Sequence, residues 1–313
     1  MLPPFGCFLF FEIVKCVNIE YNVKIDMGVS EMKRNVISFM NMKGGVGKTT
    51  ICVNIAGQLA EMGRKVLLID NDPQMNASQY LLSASEIEKQ FNEKKTIFSL
   101  YRSDVDYDFN SINGSEDEEG ESESEEIILR NIRNNLDIIC GDLNMTRVRE
   151  TTGSIQAILE NYITSNDLKD KYDFIFIDCP PTQTIYTMSA FFASDYYILV
   201  IKPDYLSSIG ISLFDKMVVQ YNKHRGKSEK LKSLGIIANL MQKGNDDYHK
   251  TKISEIKDKF KFKHDVFETK INNVGAIAKS SENQKLMYET RGSVRSIKKL
   301  TSEFLKKYEG VNN

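Results

Sequence analysis

The residues best suited to chemistry lie in one glycine-rich stretch, Met-Lys-Gly-Gly-Val-Gly-Lys-Thr-Thr, at positions 42–50. An apolar run at 36–40 precedes it, and a stretch with helical spacing of apolar residues follows, so it is expected to join a strand to a helix. Glycines let the backbone approach a ligand closely, and the N–H groups and dipole at a helix N-terminus attract anions. The stretch therefore predicts a phosphate-binding loop.

Two side chains of this loop are expected to act on a bound nucleotide and its metal ion. Lys48 would contact the β- and γ-phosphates, and the hydroxyl group of Thr49 would ligate Mg²⁺. The standard pattern of such loops has glycine where Met42 stands, so this loop is a variant that carries a second lysine, Lys43. The residues predicted to bind the nucleotide are Gly44, Gly45, Val46, Gly47, Lys48, Thr49 and Thr50.

Acidic residues follow two other apolar runs. Asp70 and Asp72 lie at the end of the run that begins at Val66, and Asp178 ends the run Phe-Ile-Phe-Ile-Asp. Ligands of open α/β sheets bind at the carboxyl ends of the strands, so we expect these acids to converge on Mg²⁺ and the attacking water. Asp178 then suits the Walker B acid that holds metal-bound water. Taken singly, each acid also suits a turn or a helix cap.

The chain that must position these residues alternates short apolar runs with amphipathic stretches. Strands are predicted at 36–40, 66–70, 136–140, 174–178, 197–201 and 234–239. Helices are predicted at 49–62, 155–162, 209–221 and 248–260. Nearly continuous apolar strands are typical of a sheet buried on both faces. The pattern predicts a doubly wound, mostly parallel α/β sheet flanked by helices on both faces, as in P-loop NTPases.

Composition limits the class of protein further. The chain has 313 residues, 41 % of them hydrophobic, and a net charge of −2, which is ordinary for a globular protein. Its five cysteines are scattered without a C-x-x-C pair, which argues against a disulfide framework or a zinc site and favours the cytoplasm. No apolar run reaches the ~20 residues that a membrane span needs.

Two segments are interpreted as lying outside the pattern of strands and helices. Residues 1–31 begin with an apolar run that lacks the basic region and cleavage site of a signal peptide, so they are interpreted as an extension or a misassigned start. Eight acidic residues fall between positions 116 and 126, and residues 103–126 are interpreted as a solvated, mobile insertion. The remainder, 32–313, is predicted to be a single ATPase domain.

The motifs resemble those of the deviant Walker A ATPases, the family that includes ParA and MinD. The resemblance extends from residue 32 to residue 308, apart from the acidic insertion. It rests on KGGVGKTT at 43–50, LLIDNDPQMNAS at 67–78, FIFIDCPPT at 174–182 and GIIANL at 235–240. The Asp-x-Asp-Pro-Gln segment is more similar to ParA, also called Soj, than to MinD. Thr182-Gln183-Thr184 departs from the family, in which Ser-Leu-Gly is common.

This resemblance implies ATP and Mg²⁺ as cofactors and a homodimer that sandwiches ATP. Lys43 would be the signature lysine that crosses to the nucleotide of the partner, and Asp72 would position or activate the hydrolytic water. The implied catalytic residues are therefore Lys43, Lys48 and Asp72. Asn239 matches the adenine-contacting asparagine of the family, beside the turn at 202–205, although a turn residue at a strand end is an open alternative.

A nucleotide-dependent dimer is a switch, because its surface exists only in one state. The resemblance implies a partition ATPase that is slow without its partner. Its ATP dimer would bind nonspecific DNA on the nucleoid and leave it when a ParB-like centromere-binding partner stimulates hydrolysis, so that plasmid or chromosome copies separate. No membrane partner is expected.

A helix predicted at 293–308 offers a basic surface for DNA. Its apolar residues share one side and pack on the sheet, while basic residues lie on the other. The candidate DNA contacts are Arg291, Arg295, Lys298 and Lys299. A second lysine-rich stretch covers 250–263. For both stretches a solvated basic helix is the simpler interpretation without the family resemblance.

Three other classes on the same fold are less favoured. A MinD-like membrane regulator needs a terminal amphipathic helix that enters anionic lipid, and the chain ends Lys-Lys-Tyr-Glu-Gly-Val-Asn-Asn. An iron–sulfur reductase needs cysteines that bridge protomers, whereas Cys140 and Cys179 are expected in the core. A tyrosine kinase of the related bacterial type would have a C-terminal tyrosine cluster, and only Tyr308 lies there.

Overall fold

Runs of β-branched and aromatic residues form one mostly parallel sheet in the computed structural model. It describes residues 33–101, 126–148, 153–223, 230–242, 246–273, 277 and 283–312. Within these residues seven strands have the order β3-β4-β2-β5-β1-β6-β7. They are β1 (Val36–Met40), β2 (Val66–Asp70), β3 (Ile128–Arg133), β4 (Leu136–Ile139), β5 (Phe174–Asp178), β6 (Tyr196–Ile201) and β7 (Lys232–Ala238). Neighbouring strands pair in parallel except for β3 and β4, which pair antiparallel.

Helices cover both faces of this sheet. They are α1 (Lys48–Glu61), α2 (Asn76–Leu81), α3 (Ala84–Asn92), α4 (Ile158–Ser165), α5 (Leu168–Lys171), α6 (Ile185–Ala193), α7 (Ser207–Asn222), α8 (Asp246–Phe260) and α9 (Val294–Asn312). Side chains of each strand alternate between two core clusters, as a strand requires. Helices α4, α6, α7 and α8 pack on one cluster, and α1, α2 and α9 pack on the other. The predicted doubly wound fold is thereby confirmed.

Several elements were not predicted from sequence. Strand β3 contains Arg130, Asn131 and Arg133, which hide its alternation, and it forms because the hairpin to β4 supplies its partner. Helix α6 is apolar almost throughout, so it shows no amphipathic period that would separate it from a strand. The strands predicted at 36–40, 66–70 and 174–178 have the predicted bounds, and the other predicted elements shift by up to four residues at their ends. Residues 153–157 form a 3₁₀ turn before α4.

The C-terminal helix α9 packs as its periodicity predicted. Ile297, Leu300 and Phe304 are fully buried against the sheet, and the ring of Phe304 lies 5.5 Å from that of Phe174 on β5. Residues 1–31 and the insertion at 103–126, apart from Glu126, lie outside the described residues. In the ranges that the structure describes, no helix combines the length and the apolar character needed to cross a membrane.

Candidate functional site

The glycine-rich loop lies between β1 and α1, as predicted, and opens toward solvent. Gly45 and Gly47 have φ values of +71° and +82°, a left-handed conformation that favours glycine. Helix α1 begins directly after Gly47 without a side-chain cap, so no side chain occupies its first N–H groups. These N–H groups and the helix dipole suit a phosphate group.

The side chain of Asn239, which is distant in the sequence, forms a hydrogen bond with this loop. Asn239 follows β7 and is 2 % exposed, and its Nδ2 donates to the carbonyl oxygen of Val46 at 2.9 Å. A Cβ atom on Gly47 would lie only 2.2 Å from the same Nδ2 atom. Asn239 therefore fixes the loop conformation, and its predicted contact with adenine stays a prediction.

Replacing Asn239 by alanine should loosen the loop. The carbonyl group of Val46 would lose its partner, which costs about 1–3 kcal/mol for a buried group, and nucleotide affinity should fall with it. Thermal unfolding and titration with a fluorescent ATP analogue would measure both effects. The matched control is Asn166→Ala, because Asn166 Nδ2 also donates to a carbonyl oxygen at 2.9 Å, that of Tyr162 on α4. Equal nucleotide affinities of the two variants would contradict this role of Asn239.

Thr49 and Asp178 meet at the base of the loop, at the carboxyl end of β5. Thr49 Oγ1 donates to Asp178 Oδ2 at 2.7 Å, and Asp178 is fully buried. Its second oxygen, Oδ1, is buried without a hydrogen-bond partner among the described residues. Burial raises the pKa of Asp178, and the nearby charge of Asp70 raises it further. A buried carboxylate oxygen without a donor fits a cation or a cation-bound water molecule as its partner.

These two residues fit the predicted magnesium site. A hydroxyl group and a carboxylate are ligands that Mg²⁺ accepts, and it usually keeps several waters and takes phosphate oxygens for the rest. The described residues contain no group of three or more His, Cys, Asp or Glu side chains that could hold a metal ion by themselves. The binding of Mg²⁺ at Thr49 and Asp178 stays a prediction.

Lys48 lies at the first position of α1 and is 6 % exposed. Burial lowers the pKa of Lys48, while the carboxylates of Asp178 and Asp72 oppose that shift. A phosphate group beside this ammonium would stabilise its charged form. The predicted contact of Lys48 with phosphate stays a prediction.

Asp72 and Asp70 end the same strand but differ in environment. Asp72 lines a cleft of about 530 Å³ together with the loop glycines and Lys48. Asp72 Oδ1 accepts from the backbone N–H of Gln74 at 2.9 Å. The cleft is closed on one side by side chains of α2, a helix that was not predicted, so the lining residues Asn76, Gln79 and Tyr80 were missed.

The expectation that Asp70 also reaches the metal is wrong. Asp70 Oδ2 accepts from both the N–H and the hydroxyl group of Ser78 at 2.7 Å, and Ser78 Oγ in turn accepts from the N–H of Gly141 at 2.9 Å. Burial raises the pKa of Asp70 to about 6. Asp70 ties α2 to the sheet and does not face the cleft.

Lys43 lies at the rim of the loop and pairs within its own chain. Its Nζ donates to Asp204 Oδ2, in the turn that follows β6. Asp204 Oδ1 accepts from the N–H of Leu206 at 3.1 Å and from the hydroxyl group of Ser207 at 3.0 Å, at the start of α7. Burial alone would raise the pKa of Asp204, but the hydrogen bonds from Lys43 and Ser207 outweigh it and lower the pKa. The predicted crossing of Lys43 to a partner stays a prediction.

The four candidate DNA contacts lie together at the start of α9. Arg291, Arg295, Lys298 and Lys299 are all exposed. Positions 295, 298 and 299 are neighbours on the helix surface. They lie far along the chain from the loop, on the helix that covers the α1 face of the sheet. Their contact with DNA stays a prediction.

A family model described as an AAA domain, AAA_31, matches residues 34–233. The sporulation initiation inhibitor protein Soj of Bacillus subtilis is 30 % identical over 60 % of this chain. The chain belongs to the ParA/Soj-type family of P-loop ATPases. An uncharacterized protein of Methanocaldococcus jannaschii is similar to this ParA/Soj-type chain, with 34 % identity over 66 % of the chain and 74 % of its own length. The matched segment spans 66 % of Soj.

Solved structures agree with this family. A putative plasmid partition protein from Borrelia burgdorferi, bound to AMPPNP, is 25 % identical with a TM-score of 0.64, and the match covers 88 % of this chain and 100 % of that one. McdA from Cyanothece has a TM-score of 0.69 at 17 % identity over 88 % of this chain and 99 % of its own, which shows the shared fold alone.

Proposed function

We propose that this ParA/Soj-type chain is an ATP-driven dimerising switch for partition of a plasmid or chromosome. Its ATP state binds nonspecific DNA, and a ParB-like centromere-binding partner releases it by stimulating a slow hydrolysis. The observation that carries the proposal is the phosphate loop with two lysines, one buried beside Asp178 and one at the rim. Relatives named for chromosome and plasmid partition support the choice of cargo.

The nucleotide would be held by the loop and the start of α1. Backbone N–H groups of residues 44–50 and the ammonium group of Lys48 bind the phosphates. Thr49 and Asp178 would hold Mg²⁺, Asp178 through water, and an ion held there would supply positive charge to the phosphates. Asp72 faces the same cleft and orients the attacking water.

The second lysine makes the reaction depend on a dimer. A cation supplied in trans stabilises the charge that develops during phosphoryl transfer. For Lys43 to reach the nucleotide of a partner, it must leave Asp204. Asp204 thus competes with the partner's phosphates for the same ammonium group.

An Asp204→Asn variant should form the ATP dimer more readily. A partly exposed ion pair contributes about 0–1 kcal/mol, so the dimer dissociation constant should fall by up to several-fold. Analytical ultracentrifugation with a non-hydrolysable ATP analogue would measure it. Glu268→Gln is the matched control, because Glu268 pairs with Lys257 on α8 at 2.6 Å, away from the loop. Weaker dimerisation of Asp204→Asn would instead place Asp204 in the dimer contact.

The proposal is tested by binding to random-sequence duplex DNA and to anionic liposomes, each with ATP, ADP or no nucleotide. We expect ATP-dependent DNA binding that weakens with salt and is lost in Lys48→Gln. In cells, a fluorescent fusion should follow the nucleoid within the cytoplasm. ATP-dependent binding to liposomes alone would replace the proposal with a MinD-like membrane regulator.

A further inference from the structure

A groove lined by both polar and apolar side chains separates the second half of α7 from the end of α8, outside the nucleotide cleft. Its volume is about 860 Å³. Its lining comprises Ser212, Asp215, Lys216, Val219 and Gln220 of α7, Lys223 directly after α7, Phe260 at the end of α8 and Lys263 in the turn that follows. Residues 216, 220 and 223 share one face of the helix. Lys216 and Lys223 are therefore about 10 Å apart along one wall of the groove.

The acid in the described lining of this groove is already neutralised. Asp215 is buried, and it accepts from Lys263 at 3.2 Å and from His264 Nε2 at 2.6 Å. Burial alone would raise the pKa of Asp215, but the bonds from His264 and Lys263 outweigh it and lower the pKa. His264 is held in turn by Ser233, whose Oγ lies 2.8 Å from Nδ1. Asp215 therefore fixes the groove wall and adds no free negative charge.

Two other lysines of the groove, Lys216 and Lys223, have no acidic partner among the described residues. Lys216 and Lys223 are exposed, and neither forms an ion pair with any residue that the structure describes. At the end of α8, Lys259 Nζ lies 5.2 Å from the ring centre of Phe260. In the turn that follows, Lys261 Nζ lies 4.9 Å from the ring centre of Phe262. Phe262 itself is 91 % exposed. A surface with uncompensated positive charge extends from the groove into this turn.

We infer that this groove binds the phosphodiester backbone of duplex DNA, with Lys216 and Lys223 as phosphate contacts. The inference rests on the proposed function and locates part of its DNA surface. Lysine, glutamine and serine side chains are common donors to phosphate, and such contacts need no base sequence.

This groove is separate from the basic start of α9. Helices α7 and α8 pack on the core cluster of one sheet face, and α9 packs on the cluster of the other. Phosphate contacts at the two surfaces should therefore contribute independently to DNA binding. Removing the groove lysines tests one surface without disturbing the other.

The test uses the full chain with a non-hydrolysable ATP analogue and a fluorescent random-sequence duplex. The double variant Lys216→Gln with Lys223→Gln should bind roughly tenfold more weakly, and the slope of log affinity against log salt should fall by about 2. Lys263 is left in place because its loss would strand the buried charge of Asp215. The matched control is Lys89→Gln with Lys94→Gln, which removes two exposed lysines around α3. Thermal unfolding checks that each variant is folded.

Four outcomes decide the inference. A lower affinity and slope in the groove variant alone, with the control unchanged, supports it. Unchanged binding of the groove variant overturns it, and a loss in Lys298→Gln with Lys299→Gln would then assign DNA to α9. A loss of binding to anionic liposomes or to an acidic peptide, without a loss for DNA, also overturns it. If the unsubstituted chain binds no DNA with ATP, the proposed function fails first and the groove assignment with it.

Discussion

Lys48→Gln should reduce ATP hydrolysis by roughly 10²–10³-fold, the usual cost of losing one donor to a developing charge. Lys48 is the buried cation of the cleft, and its ammonium group lies among Asp178, Asp72 and the start of α1. A neutral amide cannot offset the phosphate charge. The glutamine side chain also carries no charge that burial penalises, so we expect the melting temperature to stay unchanged. Hydrolysis assays, nucleotide titration and thermal unfolding measure the three quantities.

Lys43→Gln is the matched control, because it makes the same change in the same loop at a side chain that is 42 % exposed. We expect this variant to bind nucleotide as a monomer with unchanged affinity and to lose the ATP-dependent dimer. The prediction is thus that Lys48→Gln impairs hydrolysis by the nucleotide site itself, whereas Lys43→Gln impairs the dimer. Equal loss of nucleotide binding in both variants would contradict the separate roles assigned to them.

Asp72→Asn should slow hydrolysis by about 10²–10⁴-fold, the range of a positioned acid or base, while ATP binding persists. Asn keeps an Oδ1 acceptor for the N–H of Gln74, which now bonds at 2.9 Å, so the turn after β2 should be retained. What is lost is the carboxylate that faces the cleft. The ATP dimer should therefore accumulate and stay on DNA.

Asp142→Asn supplies the comparison for this second variant. Asp142 forms the same kind of turn, since its Oδ1 accepts from the N–H of Asn144 at 2.7 Å, but it does not line the cleft. Single-turnover hydrolysis and the lifetime of the ATP dimer would be measured for both. A hydrolysis rate of Asp72→Asn equal to that of Asp142→Asn would remove Asp72 from the reaction.

How well the sequence predicted each residue depended on how local its role is. The phosphate loop is one contiguous stretch between a strand and a helix, so its glycines, Lys48 and Thr49 were placed from spacing alone. Asp178 was likewise predicted to end a strand, and it ends β5 at the edge where ligands of parallel sheets bind, while its role at a metal ion stays a prediction. Strand β3 was missed because it forms through pairing with β4 and its own residues do not alternate clearly between apolar and polar. Helix α6 was missed because it is apolar almost throughout and so shows no amphipathic period.

Asp70 and Asp72 show where local reasoning ends. They lie two residues apart at the end of one strand, yet one bonds to Ser78 and the other faces the cleft. Strand alternation does not decide this difference, because Asp72 already lies beyond β2. The contact with α2 decides it.

The sequence by itself determined the fold class and the position of the glycine-rich loop, because each depends on neighbours along the chain. The tertiary structure alone decided which distant groups hold these residues. Asn239 bonds to Val46 across 193 residues, and Lys43 pairs with Asp204 across 161. In the groove between α7 and α8, Asp215 likewise pairs with Lys263, which lies 48 residues further along the chain. Such contacts follow from strand order and helix packing, which no spacing within one segment specifies.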